Sequence, residues 1–211
     1  MSRFPIPAAD AAAPFQTEII IRRSRFLTHC AHTPGMEAAR AFVEQIRTKH
    51  ADATHNCWAF VAGAPGHSGQ VGFSDDGEPH GTAGRPMLQV LLHCGIGEIS
   101  VVVTRWFGGV KLGTGGLVRA YQDSVRDVLA DLPQEERVPR CLARVEVDFA
   151  HLDRLHRLLP ELEARVRDEA YGARAVLSIS LPAARREEFA VLLAGRTDGR
   201  ARCDFSDQDA E

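Results

Sequence analysis

The 211-residue chain has no apolar run approaching the roughly 20 residues that a membrane-spanning helix needs, so no membrane partner is expected. Its opening, MSRFPIPAADAAAPF, has no continuous apolar stretch ahead of its small residues, which argues against a cleaved secretion signal. Those residues read as a loose lead-in. The five cysteines, Cys30, Cys57, Cys94, Cys141 and Cys203, are odd in number, scattered and never in a Cys-x-x-Cys pair. That spacing argues against a disulfide framework and against a zinc site, and a cytoplasmic, reducing location is expected with no metal or cofactor assigned. An excess of either charge is also missing. Net charge is −3; residues 1–137 hold 13 Lys/Arg against 14 Asp/Glu, and residues 138–211 hold 12 against 14. Any surface for a polyanion must therefore be a local patch.

What is present is ordinary globular composition, 45% hydrophobic and 25% charged, enough for one or two cores. TEIIIRRSRFLTHC (17–30) reads as a strand. After Pro34-Gly35, the helical repeat of Ala39, Phe42, Val43 and Ile46 predicts a helix with one buried face. HNCWAFVAG (55–63) alternates as a strand, and the glycine-rich segment 64–84 reads as a long loop of the kind that is functional or mobile. A helix with Pro86 in its first turn (85–94), a buried strand (98–106) and a helix from about 114 to 132 follow. The charged, proline-bearing 133–140 suits a domain boundary. Beyond it, the order strand, helix, strand, strand, helix, strand predicts a ferredoxin-like βαββαβ domain, and a polar tail, SDQDAE, that frays. The fold class is α+β, with domains at 1–137 (core 17–132) and 138–211.

Chemistry concentrates in two segments. VVVTRWFGGVKLGTGGLVRAY (101–121) runs from a strand through a glycine-rich bend into a helix N-terminus, where free N–H groups and the helix dipole favour an anion. It matches no nucleotide fingerprint: Lys111 precedes Gly113, where a Walker loop has its lysine after the glycine, and Gly113-Thr114-Gly115 is not followed by the third glycine of a dinucleotide site. Arg105, Lys111 and Arg119 remain as cations able to meet phosphate oxygens. The bland reading is that the glycines serve turns and close packing.

FSDDGEPHGTAG (73–84) supplies Asp75, Asp76 and Glu78 within four residues. Their spacing is not that of an EF-hand loop, and turn chemistry is preferred, with Asp75 or Asp76 tying the loop to Arg25, Arg85 or Arg105. His55 and Cys57 share a strand face, which would allow a nucleophilic Cys57, but a cysteine in an apolar strand reads as an inert core thiol. No catalytic residue is assigned.

The ordered set RSRF (23–26), THNCWAF (54–60), FSDDGEPHGTAGRPML (73–88) and the 101–121 segment closely resembles the YigZ/IMPACT family. The resemblance implies an N-terminal two-layer α/β domain like a ribosomal protein and domain IV of elongation factor G. It also implies a C-terminal ferredoxin-like domain like domain V of that factor. Eukaryotic IMPACT proteins regulate translation with an additional domain that this sequence does not show. The residues that carry over are Arg25, His55, Asp75, Asp76, Gly77, Glu78, Gly81, Thr82, Arg105, Gly108, Gly109, Lys111, Gly113, Gly115, Gly116 and Arg119.

Three functions are compatible with these readings. The favoured one is a non-catalytic, translation-associated regulator binding RNA or the ribosome, with Arg25, Arg105, Lys111 and Arg119 on backbone phosphates and the ferredoxin-like sheet as a second surface. The second is an enzyme acting on a nucleotide or phosphorylated small molecule at the glycine-rich bend. The third is a protein-protein interaction module.

Overall fold

The computed structural model describes residues 3–66 and 68–206; the tail expected to fray lies almost wholly outside them. The chain forms two compact units, Phe4–Arg137 and one from Val138 onward. In the first, strands β1 (Phe4–Pro7), β2 (Phe15–Ile21) and β3 (Ser24–His32) precede helix α1 (Gly35–Lys49). Then come β4 (His55–Val61), β5 (Val71–Ser74), α2 (Gly84–His93), β6 (Ile99–Trp106), α3 (Thr114–Ala130) and β7 (Gln134–Arg137). The main sheet is antiparallel in the order β2-β3-β6-β4-β5.

Period-two burial sorts the strand residues onto the two faces of this sheet. Phe26, Cys30, Cys57, Val101 and Val103 face α2 and α3, which supply Met87, Leu91, Leu117, Tyr121 and Val125. Ala31, Phe60 and Val102 face the other way and are covered by Ala39, Phe42, Val43 and Ile46 of α1. The expected two-layer core is the sheet with α2 and α3, and α1 adds a third layer.

Three segments are more regular than the sequence suggests. Residues 17–30 form two strands, because Arg22 and Arg23 both take positive φ (45° and 68°) and turn the chain in two residues. Such a turn ordinarily announces itself with Asn-Gly or Asp-Gly, and Arg-Arg conceals it. The loop 64–84 contains β5, whose Gly72 lies under the Phe60 ring; a Cβ there would sit 2.4 Å from that ring. The supposed lead-in is β1, paired with β7 inside the supposed linker, with Phe4 and Ile6 buried.

The second unit contains β8 (Arg140–Val147), α4 (Phe149–Leu158), β9 (Arg165–Tyr171), β10 (Ala175–Pro182), α5 (Arg186–Arg196) and β11 (Arg202–Ser206). Its antiparallel sheet has the order β11-β8-β10-β9, the ferredoxin-like arrangement predicted from the element order. The first helix ends earlier than its apolar spacing suggests. Pro160 opens a 3-10 turn and Glu163 is left-handed (φ 53°).

His29 lies wholly buried in the first unit, its Nε2 3.3 Å from Nε2 of His50. Burial, then the charges of His50 and Lys49, push it down to about 4 from an ordinary 6.5. A depressed histidine leaves stability intact above pH 6.5 and removes it as pH falls toward 4, because the unfolded chain takes up the proton first. Urea denaturation should show a loss on the order of 2 kcal/mol between pH 6.5 and pH 5. In His29→Gln this dependence should flatten; an equally steep slope would show that another group carries it.

Candidate functional site

Sheet register brings the four motif segments to one end of the first unit. Phe26, Arg105 and His55 form one row across β3, β6 and β4; Ile20, Arg25 and Trp106 form the adjacent row across β2, β3 and β6, on the opposite face. The Arg22-Arg23 turn, the loop after β5 and the bend after β6 lie at this same end, as do the N-termini of α2 and α3.

At its centre is a buried ion pair. Glu78 and Arg105 side chains are only 3% and 6% exposed, and Arg105 Nη1 donates to Glu78 Oε1 over 2.5 Å. Tyr121 Oη donates to the same oxygen at 2.8 Å. Arg105 Nη2 reaches Ser24 Oγ at 3.3 Å, an atom that also accepts the Gly108 N–H at 3.2 Å. His55 Nδ1–H donates to the Asp76 carbonyl at 2.8 Å, which leaves its Nε2 3.9 Å from Glu78 Oε2. Loop 73–84 and bend 106–116 are therefore joined through one pair of side chains.

Each acid of the loop has an inward task. Asp75 accepts N–H groups of Gly81 (2.7 Å), Ala83 (3.0 Å) and Gly84 (2.9 Å), thereby capping the start of α2. Burial works against its ionisation, yet these N–H groups outweigh it and hold the carboxyl below its ordinary range. Asp76 accepts the Asn56 N–H at 2.7 Å and faces Arg47 at 3.4 Å. The tie between the loop and Arg105 is thus made by Glu78, with Asp75 and Asp76 engaged elsewhere. Gly77 and Gly81 take positive φ, and Thr82 Oγ1 closes the turn on the Pro79 carbonyl at 2.6 Å.

Cys57 Sγ lies 2.9 Å from the Asp75 carbonyl and 3.3 Å from Tyr121 Oη. Burial pushes its thiol well up, and this outweighs the opposing effect of the hydrogen bond between the thiol and Tyr121 Oη. That is the environment of an inert core thiol.

The outer surface is different in kind. Arg25 is half-exposed, bonded to Glu18 at 2.8 Å, with its guanidinium 4.5 Å above the Trp106 ring. Lys111 and Arg119 are exposed, and neither forms an ion pair with another described residue. Among the described residues no side chain caps the first turn of α3, which includes Gly115 and Gly116 and holds no acidic residue; Gly113 and Gly109 before it take positive φ. Gly108 is required by space, since a Cβ there would lie 2.0 Å from the Arg23 carbonyl carbon. That contact brings the bend against the hairpin tip, where Arg22 and Arg23 are exposed. Neither tip arginine is among the residues predicted for the site; their side-by-side repeat was the signal available. Arg105 was expected to touch phosphate and instead lies inside, neutralised by Glu78.

Removing one partner of this pair strands the other's charge. Glu78→Ala should cost about 3–5 kcal/mol in chemical denaturation, while the double change Glu78→Met with Arg105→Met should cost far less. Equal costs would mean that the pair is not the element holding loop to bend.

The Impact N-terminal domain matches residues 22–129, and a domain of unknown function, DUF1949, matches residues 145–200. The chain is 46% identical over 188 residues to the IMPACT family member YigZ of Escherichia coli (strain K12), covering 89% of this chain and 92% of that one. An IMPACT family member of Haemophilus influenzae is 41% identical over 200 residues, covering 95% of each. A solved structure described as the crystal structure of an hypothetical protein aligns with a TM-score of 0.70 at 44% identity, covering 96% of this chain and 97% of that one. With both of its units and nearly its full length matched in this way, the chain belongs to the YigZ/IMPACT family.

Proposed function

We propose that the end of the sheet carrying the motifs is a polyanion-binding surface, and that the chain is a non-catalytic, translation-associated regulator that binds RNA or the ribosome through it. The observation that carries this reading is the start of α3: a 17-residue helix whose first amides have neither a side-chain cap nor an acid beside them. Free N–H groups at the positive end of a helix dipole favour phosphate oxygens. Arg22, Arg23, Arg25, Lys111 and Arg119 surround the same end. Because Asp75, Asp76 and Glu78 spend their charges on internal partners, the cations outside are not cancelled by the loop.

Arg105 acts here by position. It holds the bend and the loop in place from inside and touches no phosphate. In the second unit, the edge strand β9 carries exposed Arg165 and Arg167, with Asp168 and Glu169 directly after them. Burial and those two charges push the neighbouring Arg140 guanidinium below its ordinary value. The enzymatic alternative needs a carboxylate or nucleophile free to act at the bend, and internal hydrogen bonds occupy Asp75, Glu78 Oε1 and Cys57.

Fluorescence anisotropy with ribosomal RNA fragments, together with ribosome co-sedimentation, tests the proposal. Binding should weaken steeply with salt, and the pair Lys111→Glu with Arg119→Glu should reduce affinity at least about 10-fold and flatten the salt slope. A folded protein that associates with neither RNA nor ribosomes at low salt would overturn the reading. A nucleotide-dependent rise in Tm would then favour the enzymatic one.

A further inference from the structure

We infer that this surface takes unpaired nucleotides of a single-stranded RNA, with Phe107 as the platform on which a base stacks. The inference rests on the proposed RNA-binding reading and narrows its ligand. Phe107 is 48% exposed, although it directly follows a strand whose residues from Ile99 to Arg105 are all buried. Its backbone is fixed. The Phe107 N–H donates to Thr54 Oγ1 at 3.0 Å, and the next amide, Gly108 N–H, donates to Ser24 Oγ at 3.2 Å. Gly108 itself is wedged against the Arg23 backbone. The ring is therefore held out on a braced segment.

The neighbouring aromatic is already taken. Trp106 has the Arg25 guanidinium 4.5 Å from its ring centre, the edge of His50 at 5.6 Å, and its Nε1–H bonded to Asp52 at 2.9 Å. Among the described residues at this end, the exposed aromatics are Phe73, 45% exposed on β5, and Phe107, which has the Arg105 guanidinium 5.7 Å from its ring centre; Phe107 is the one that opens the glycine-rich bend. The cations around it would hold the flanking phosphates, and Val110, 37% exposed, extends the apolar contact. An aromatic face beside a track of cations recognises single strands, because an unpaired base offers its π-face whatever its identity. A duplex keeps its bases stacked on each other and offers the protein only backbone and edges, so the ring gains nothing from it.

The full-length chain should be titrated with a labelled single-stranded oligoribonucleotide of about 12 nucleotides, a duplex of the same length, and inorganic polyphosphate. The single strand should bind most tightly. Phe107→Ala should weaken single-strand binding roughly 10-fold while changing polyphosphate binding less than about twofold. Phe107→Trp should retain single-strand affinity and show indole quenching on binding. An unaltered single-strand affinity in Phe107→Ala, an equal loss on polyphosphate, or tighter binding of duplex would each overturn the inference and leave the cationic surface standing. Loss of binding to all three ligands by the wild-type chain would instead bring down the proposed function with it.

Discussion

The buried Arg105–Glu78 pair is the constraint on which the motif-bearing end of the first unit depends. A guanidinium and a carboxylate that have left water must find each other and fill their remaining hydrogen-bonding positions. Here Tyr121 of α3 meets the carboxylate and Ser24, at the start of β3, meets the guanidinium, while Arg105 Nε is left without a hydrogen-bond partner among the described residues. One ionic contact thereby fixes the relative positions of a strand end, a helix, a hairpin and a loop. The exposed Lys111 and Arg119 outside take no part in this neutralisation.

The same economy explains the glycines. Gly108 lets two backbones touch, Gly72 leaves room for a ring, and Gly113 sets up the helix start with a positive φ. The structural and the anion-binding readings of this bend are therefore compatible. In the bend, space requires Gly108 and positive φ favours glycine at 109 and 113, just ahead of a helix start with no acidic residue in its first turn.

Much of the fold was legible in the sequence because burial imposes periodicity: the apolar stripes of α1 and α3 and the βαββαβ order of the second unit could be read directly. Elements whose identity rests on partners far along the chain were hidden. β1 is recognisable only by its pairing with β7, and β5 only once Phe60 is seen over Gly72. The site was legible as a set of segments but not as a division of labour. Nothing in the spacing says that Glu78 is the acid that meets Arg105 while Asp75 caps α2, because three-dimensional proximity decides among chemically equivalent carboxylates. Arg22 and Arg23 escaped for the opposite reason, since they stand in a turn that such residues rarely make.

The β1–β7 ribbon carries a consequence of its own. It pairs the fourth to seventh residues of the chain with residues 134–137, so the first unit is closed by its two ends. A nascent chain must hold β1 without its strand partner β7 until residues 8–133 have been made. The unit can then be completed only as a whole, just as the second begins to emerge.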